Sequence, residues 1–270
     1  MKVILNADDF GYSVDTVEAT IDCFEHGLLT SATIMARMPA TDAALAFART
    51  RPDLSFGVHL TFVGDGVERS VRPTADVPDL VDDAGSFPGS RVVRLRALTG
   101  SLPLDQLERE IAAQIDVVSL AGITVTHVDS HRHLHKFAPF RKALRNVLRR
   151  RGITCVRTVQ DVYLRRPRSS LTYWAGPLWR RALTSEFRTT DHFYMPTTAH
   201  DDRWYRVASL MGGLEGDFIE IGVHPGESDP WRQREQDSLP SFVDAALASG
   251  HELVNWRAVD DVRRATRACP

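Results

Sequence analysis

No apolar run in this chain approaches the roughly 18 residues that a membrane-spanning helix needs, which excludes a transmembrane helix. Cysteine is scarce: Cys23, Cys155 and Cys269 are odd in number, far apart and without a C-x-x-C pair. That set excludes a disulfide frame or a zinc ribbon and reads as reduced thiols of a cytosolic protein. There is no G-x-S-x-G, and no cysteine lies beside a histidine, so nothing suggests a serine or thiol nucleophile. The early glycines do not form G-x-G-x-x-G, which leaves a dinucleotide fold little support. The N-terminus, Met1-Lys2-Val3-Ile4-Leu5-Asn6-Ala7-Asp8-Asp9, has neither the apolar h-region nor the small-residue cleavage site of a signal peptide. This argues against export by that route and for a cytoplasmic location. Internal repeats, low-complexity tracts and linkers are also missing.

What remains is an ordinary globular composition, 43% hydrophobic and 25% charged over 270 residues. It can bury a proper core and excludes a disordered chain or a coiled coil. The net charge of -2 hides an uneven distribution. Between Arg132 and Arg188 fifteen Lys and Arg face only Asp161 and Glu186, a local charge of +13 against -15 for the remainder. Such asymmetry fits an anionic partner, but internal compensation, or an oligomer joining the two charge types, is the favoured reading.

Short apolar runs alternate with amphipathic segments. Strands are expected at 2–7, 29–36, 54–61, 123–128, 153–159, 218–223 and 251–255. Helices are expected at 14–26, capped by Ser13 and stopped by Gly27, and at 41–51, 139–151, 204–214, 238–249 and 257–267. Another is marked by the stripe Leu104, Leu107, Ile111, Ile115 and Val118. About seven strand–helix units at this length favour an α/β fold: a β/α barrel of the TIM type, complete or short of closure, with parallel strands and outer helices. The chain reads as one such domain over 1–270. Two irregular excursions, at about 62–103 and 161–203, are too long for simple connectors.

The chemistry collects at the carboxyl ends of these strands, where barrels build their sites. Asp8-Asp9 follows the first strand, His59 ends the third, His127 to His135 close the fourth and His224 closes a late one. Six of the ten histidines fall in these clusters. Each has a bland alternative: a turn acid for the Asp pair, a hydrogen-bonded core residue for His59, loop chemistry for His224. The cluster His127, Asp129, His131, His133, His135 resists that reading, because crowded imidazoles favour neutral, metal-binding forms. One carboxylate with two imidazoles suits one divalent cation, Zn²⁺, Fe²⁺, Co²⁺ or Mn²⁺ by ligand softness and Mg²⁺ less well. A cation, a carboxylate and an imidazole together form a kit for amide or ester hydrolysis.

Four blocks carry a resemblance: Ala7-Asp8-Asp9-Phe10-Gly11, Gly57-Val58-His59-Leu60-Thr61, Thr126-His127-Val128-Asp129-Ser130-His131-Arg132-His133-Leu134-His135 and Glu220-Ile221-Gly222-Val223-His224-Pro225-Gly226. In content and order they closely resemble the YdjC-like carbohydrate deacetylases, which include chitooligosaccharide and hopanoid-biosynthesis deacetylases. The resemblance implies a barrel-like fold and metal-dependent removal of an N-acetyl group from an amino sugar. Carried over by motif, Asp9, His59 and His131 are the metal ligands, Asp8 the general base and His224 the general acid. Arg157 orients Asp8, His127 and His133 orient ligands, and His135 stays open between metal and substrate. The excursions match no family motif, so reaction class carries over better than substrate.

The expected partner is therefore an N-acetylated sugar, with no membrane and no nucleic acid; a homodimer is the commonest assembly. Trp174 or Trp179 would stack on a sugar ring or pack in the core. Two other readings stand beside this one. The first is a metal-dependent hydrolase of an ester, phosphoester or cyclic amide. The second is a non-catalytic sugar- or nucleic-acid-binding protein using the arginines at 149–151 and 165–168.

Overall fold

The computed structural model describes residues 1–167, 170–196 and 203–268. Cys269 and Arg168 lie outside the described residues. Eight strands, β1 (Lys2–Phe10), β2 (Ser31–Ile34), β3 (Ser55–Leu60), β4 (Val125–Ser130), β5 (Cys155–Val156), β6 (His192–Tyr194), β7 (Phe218–Val223) and β8 (Glu252–Leu253), form one sheet among the described residues. Its order is β5-β4-β3-β2-β1-β7-β6, and β8 joins β1 beside Lys2 and Val3. Every pairing is parallel. The two edges meet through a bridge between Cys155 and Arg188 and through the amides of Asp161 and Val162, which donate to Phe193 O. The sheet thus curls into an incomplete barrel, as the alternation of strands and helices implied.

Around it lie α1 (Val14–Glu25), α2 (Thr41–Thr50), α3 (Ser90–Thr99), α4 (Leu104–Leu120), α5 (Ala138–Arg151), α6 (Leu171–Glu186), α7 (Ala208–Met211), α8 (Pro230–Asp237), α9 (Leu239–Ala248) and α10 (Trp256–Ala268). Ser13 caps α1 as expected: its Oγ accepts from the Thr16 amide, and Thr16 Oγ1 accepts from the Ser13 amide. On α4 the predicted stripe is buried at Leu107, Ile111, Ile115 and Val118. Phe10, Phe24, Phe47 and Phe56 form an aromatic cluster with centroids 5.9–6.4 Å apart, fixing α1 and α2 on β1 and β3. None of the described helices is long and apolar enough to cross a membrane.

The excursions hold more order than the sequence suggested. Residues 62–103 contain α3, whose buried stripe is only Val93 and Ala97 among three arginines, too thin to read as periodic. Within 161–203 lie α6 and β6; residues 168–169 and 197–202 are outside the described residues. Gly176-Pro177 interrupts the helical signal of α6, and a three-residue strand is too short to show alternation. The helix expected at 204–214 is instead a 3₁₀ turn at Trp204–Val207 followed by the short α7. Part of the +13 stretch is compensated at home. Arg141 pairs with Glu186, Arg150 with Glu108, Arg151 with Asp116, Arg180 with Asp161 and Arg188 with Asp260. Cys23 and Cys155 form no disulfide, and burial pushes the Cys23 thiol up to about 12.

Candidate metal centre

Asp8 and Asp9 do not follow β1 but lie inside it, beside a break in register with β2 between Ala7 and Phe10. Asp9 sits in the left-handed region, at φ 58°, a conformation costly for a residue with a side chain. The bulge turns both acids inward, and both are buried. His59, on β3, brings its Nε2 to 3.4 Å from Asp9 Oδ1. His131 begins the turn after β4 and brings its Nδ1 to 3.2 Å from the same oxygen. Arg132 and His133 in that turn are also left-handed, so the 3₁₀ segment His131–Lys136 is kinked there and is not a regular helical turn.

Each imidazole is oriented from behind. His59 Nδ1 lies 2.7 Å from Asp129 Oδ1, so it donates there and leaves the Nε2 lone pair facing Asp9. His131 Nε2 lies 3.6 Å from Asp65 Oδ2, and Arg132 holds that carboxylate at 2.7 Å. Burial alone would lower the His131 pKa, but Asp9 and Asp65 override it and push it up to about 9. Asp9, likewise resisted by burial, is held well below the usual carboxylate range by His131, His224 and His59.

This trio fits a metal ion. Its ligand atoms lie within 4.8 Å of one another, and tetrahedral bonds of about 2.0–2.1 Å would space donor atoms by about 3.3 Å. The two contacts to Asp9 Oδ1, 3.4 and 3.2 Å, straddle that spacing. Asp8, His59 and Asp129 are equally clustered, but there the cation is already supplied by a guanidinium. Arg157, fully buried, binds Asp8 through Nη1 at 2.6 Å and Nη2 at 2.7 Å, Asp129 at 2.5 Å and Glu220 at 2.7 Å. Three carboxylates around one guanidinium leave an excess of negative charge. Burial, and then its acidic neighbours against the pull of Arg157, push Glu220 up to about 7. Burial would also raise Asp8, but Arg157 outweighs it and keeps that carboxylate ionised.

His224, just past β7, closes the other side. Its Nε2 lies 4.0 Å from Asp8 Oδ2, and its Nδ1 lies 3.0 Å from Glu235 Oε2. Burial opposes the imidazolium, yet Glu235, Asp9 and Asp8 raise the His224 pKa.

The family model described as YdjC-like protein matches residues 2–259 of this chain. The chain belongs to the YdjC-like family. A relative from Halalkalibacterium halodurans, named carbohydrate deacetylase, is 33% identical over 97% of this chain and 99% of its own length. A carbohydrate deacetylase of Geobacillus stearothermophilus is 42% identical over 49% of this chain; there this chain spans about half the relative's length, 50%. Among solved structures, an Enterococcus faecalis V583 protein for which cellobiose-phosphate cleavage has been suggested superposes with a TM-score of 0.76. It is 25% identical, over 96% of this chain and 98% of that one.

Of this YdjC-like chain's other histidines, His127 is a packing residue of the barrel interior. It stacks on Trp256 at 4.6 Å and lies 3.2 Å from Asn6 Oδ1, while Asn6 Nδ2 donates to Asp8 Oδ1. It therefore steadies Asp8 through Asn6. His135 Nδ1 lies 2.8 Å from Ser130 Oγ, and His133 rests edge-on against Phe193. Burial first, then Arg157 and Lys136, push His135 down to about 3. Trp179 packs against Phe137, whereas Trp174 is exposed.

Asp129 was named within the histidine cluster but given no role of its own, and Asp65, Glu220, Arg232 and Glu235 were not singled out by the sequence. Asp129 and Glu220 stood within the quoted motifs, two residues from His127 and four from His224 respectively. Asp229-Pro230, an acid before proline, was the one local sign of α8, the helix that delivers Arg232 and Glu235.

Proposed function

We propose that this protein is a cytoplasmic, metal-dependent deacetylase that hydrolyses the N-acetyl group of an amino sugar or short oligosaccharide to the free amine and acetate. One observation carries the reading: Asp9, His59 and His131 converge on one point, with Asp8 and His224 beside it. The relatives named carbohydrate deacetylase support the choice of bond and substrate class.

Asp9, His59 and His131 would hold the cation, Zn²⁺ by ligand type, with Mg²⁺, Mn²⁺, Co²⁺ and Fe²⁺ as alternatives. Such an ion supplies Lewis acidity toward a carbonyl and lowers the pKa of water. Asp8, kept ionised by Arg157, orients the attacking water and takes its proton as the new C–O bond forms. His224, held protonated by Glu235, donates its Nε2 proton to the amide nitrogen as the C–N bond breaks. The products are a carboxylate and an amine. Every group in this scheme comes from one chain, so a homodimer is not required by the chemistry.

The test is acetate release from a panel of N-acetylated mono- and disaccharides by metal-loaded protein. Acetate should appear, cease with chelator, and be lost together with bound metal in His131→Ala. Retained turnover by the demetallated protein overturns the mechanism. Absence of acetate together with cleavage of an ester or phosphodiester would move the assignment to another bond.

A further inference from the structure

The two oxygens of Asp9 are used differently. Oδ1 faces both imidazoles, and Oδ2 accepts from Arg232 Nη2 at 2.7 Å. Arg232 reaches it from α8 and is only 5% exposed. Its guanidinium lies 4.5 Å from the Trp231 ring centroid and 5.7 Å from that of Tyr12. Among the described residues Asp9 is its one hydrogen-bond acceptor; Asp229 stands 3.6 Å from Nε. The loop after β7 makes room for this arm, since a Cβ at Gly226 would meet Arg232 Cδ at 2.8 Å.

A carboxylate free at both oxygens can chelate a cation through both. One whose Oδ2 is directed at a buried guanidinium offers Oδ1 alone. A hydrolytic site needs the position a second oxygen would fill, because water and the substrate carbonyl must enter there.

We propose that Arg232 is a positioning residue that confines Asp9 to one-oxygen ligation and so keeps the metal's coordination open for water and substrate. The inference rests on the metal reading proposed above. It differs in sign from ordinary support of a ligand. Asp129 and Asp65 hold their imidazoles in place as ligands, whereas a guanidinium one carboxylate away opposes cation binding. Deleting it should change the geometry of metal binding without weakening it.

The experiment compares the full wild-type chain with Arg232→Met, both loaded with Co²⁺, by calorimetry and visible absorption. A higher coordination number weakens the visible bands of Co²⁺. In the variant the bands should fall severalfold while the Co²⁺ dissociation constant is unchanged or lower, by up to about tenfold. With a substrate found by the panel above, kcat should fall more than KM changes. Arg232→Lys, which keeps a cationic donor, should recover much of the band. If Arg232→Met does not fold, Gly226→Ala, which crowds the arm from outside, should weaken the bands in the same direction. Unchanged bands in the folded variant overturn the proposal. So does a dissociation constant raised about tenfold or more, the mark of a merely structural role. A wild-type chain that takes up no Co²⁺ overturns the metal reading itself, an outcome distinct from either.

Discussion

Metal uptake by this site should release a proton, and the structure says which one and over what range. In the metal-free chain His131 is flanked by Asp9 at 3.2 Å and Asp65 at 3.6 Å, and its pKa is pushed up to about 9. To ligate through Nδ1 it must lose that proton while Nε2–H stays on Asp65. Below pH 9 the apparent affinity should therefore rise about tenfold per pH unit, or about 100-fold (~2.7 kcal/mol) from pH 6.5 to 8.5, and flatten beyond. The free chain behaves oppositely. A folded pKa above the unfolded value gives stability that is complete below the ordinary histidine range and lost as pH rises through about 9. Thermal stabilisation by added Zn²⁺ should thus be larger at pH 8.5 than at 6.5. Calorimetric titration in two buffers of different ionisation enthalpy counts the proton directly. Asp65→Asn should move the plateau to lower pH, because one of the two carboxylates that charge His131 is gone. A flat affinity between pH 6.5 and 8.5 in the unmodified chain would refute the assignment of His131 as a protonated ligand awaiting metal.

Two further outcomes follow from the acid–base partners. In the proposed scheme His224 acts only while protonated, so activity should be lost as pH rises through its raised pKa. Glu235→Gln removes the chief cause of that elevation and should move this alkaline limb to lower pH, cutting kcat/KM most on that limb; an unmoved limb in the pH–rate profile tells against His224 as the acid. Arg157→Met would strand Asp8, Asp129 and Glu220 without their shared cation, at a cost of about 3–5 kcal/mol in unfolding free energy. Urea denaturation reads this directly, and an unchanged midpoint would show that the buried triad is neutralised in another way.

What could be read from the sequence, and what could not, divides along a physical line. Asp9, His59, His131 and His224 were nominated by local features, since each stands near the carboxyl end of an apolar run long enough to be recognised as a strand. A barrel then brings such ends to one rim whatever the details of its helices. The exact posture of the acid pair was not legible. Alternation along a strand sends neighbours to opposite faces, and only the break in register and the left-handed Asp9 turn both carboxylates inward. The second tier was hidden for a different reason. Asp65 lies in a loop without periodicity, and Arg232 and Glu235 ride on α8, an eight-residue helix rich in charge. No local pattern obliges an arginine to meet an aspartate 223 residues away. Yet in the proposed scheme these distant partners fix whether His131 carries a proton, whether His224 can give one up, and how many oxygens Asp9 can offer. The identity of the proposed ligands is thus a property of single strands, whereas their protonation, and the denticity proposed for Asp9, belong to the packing of the whole chain around them.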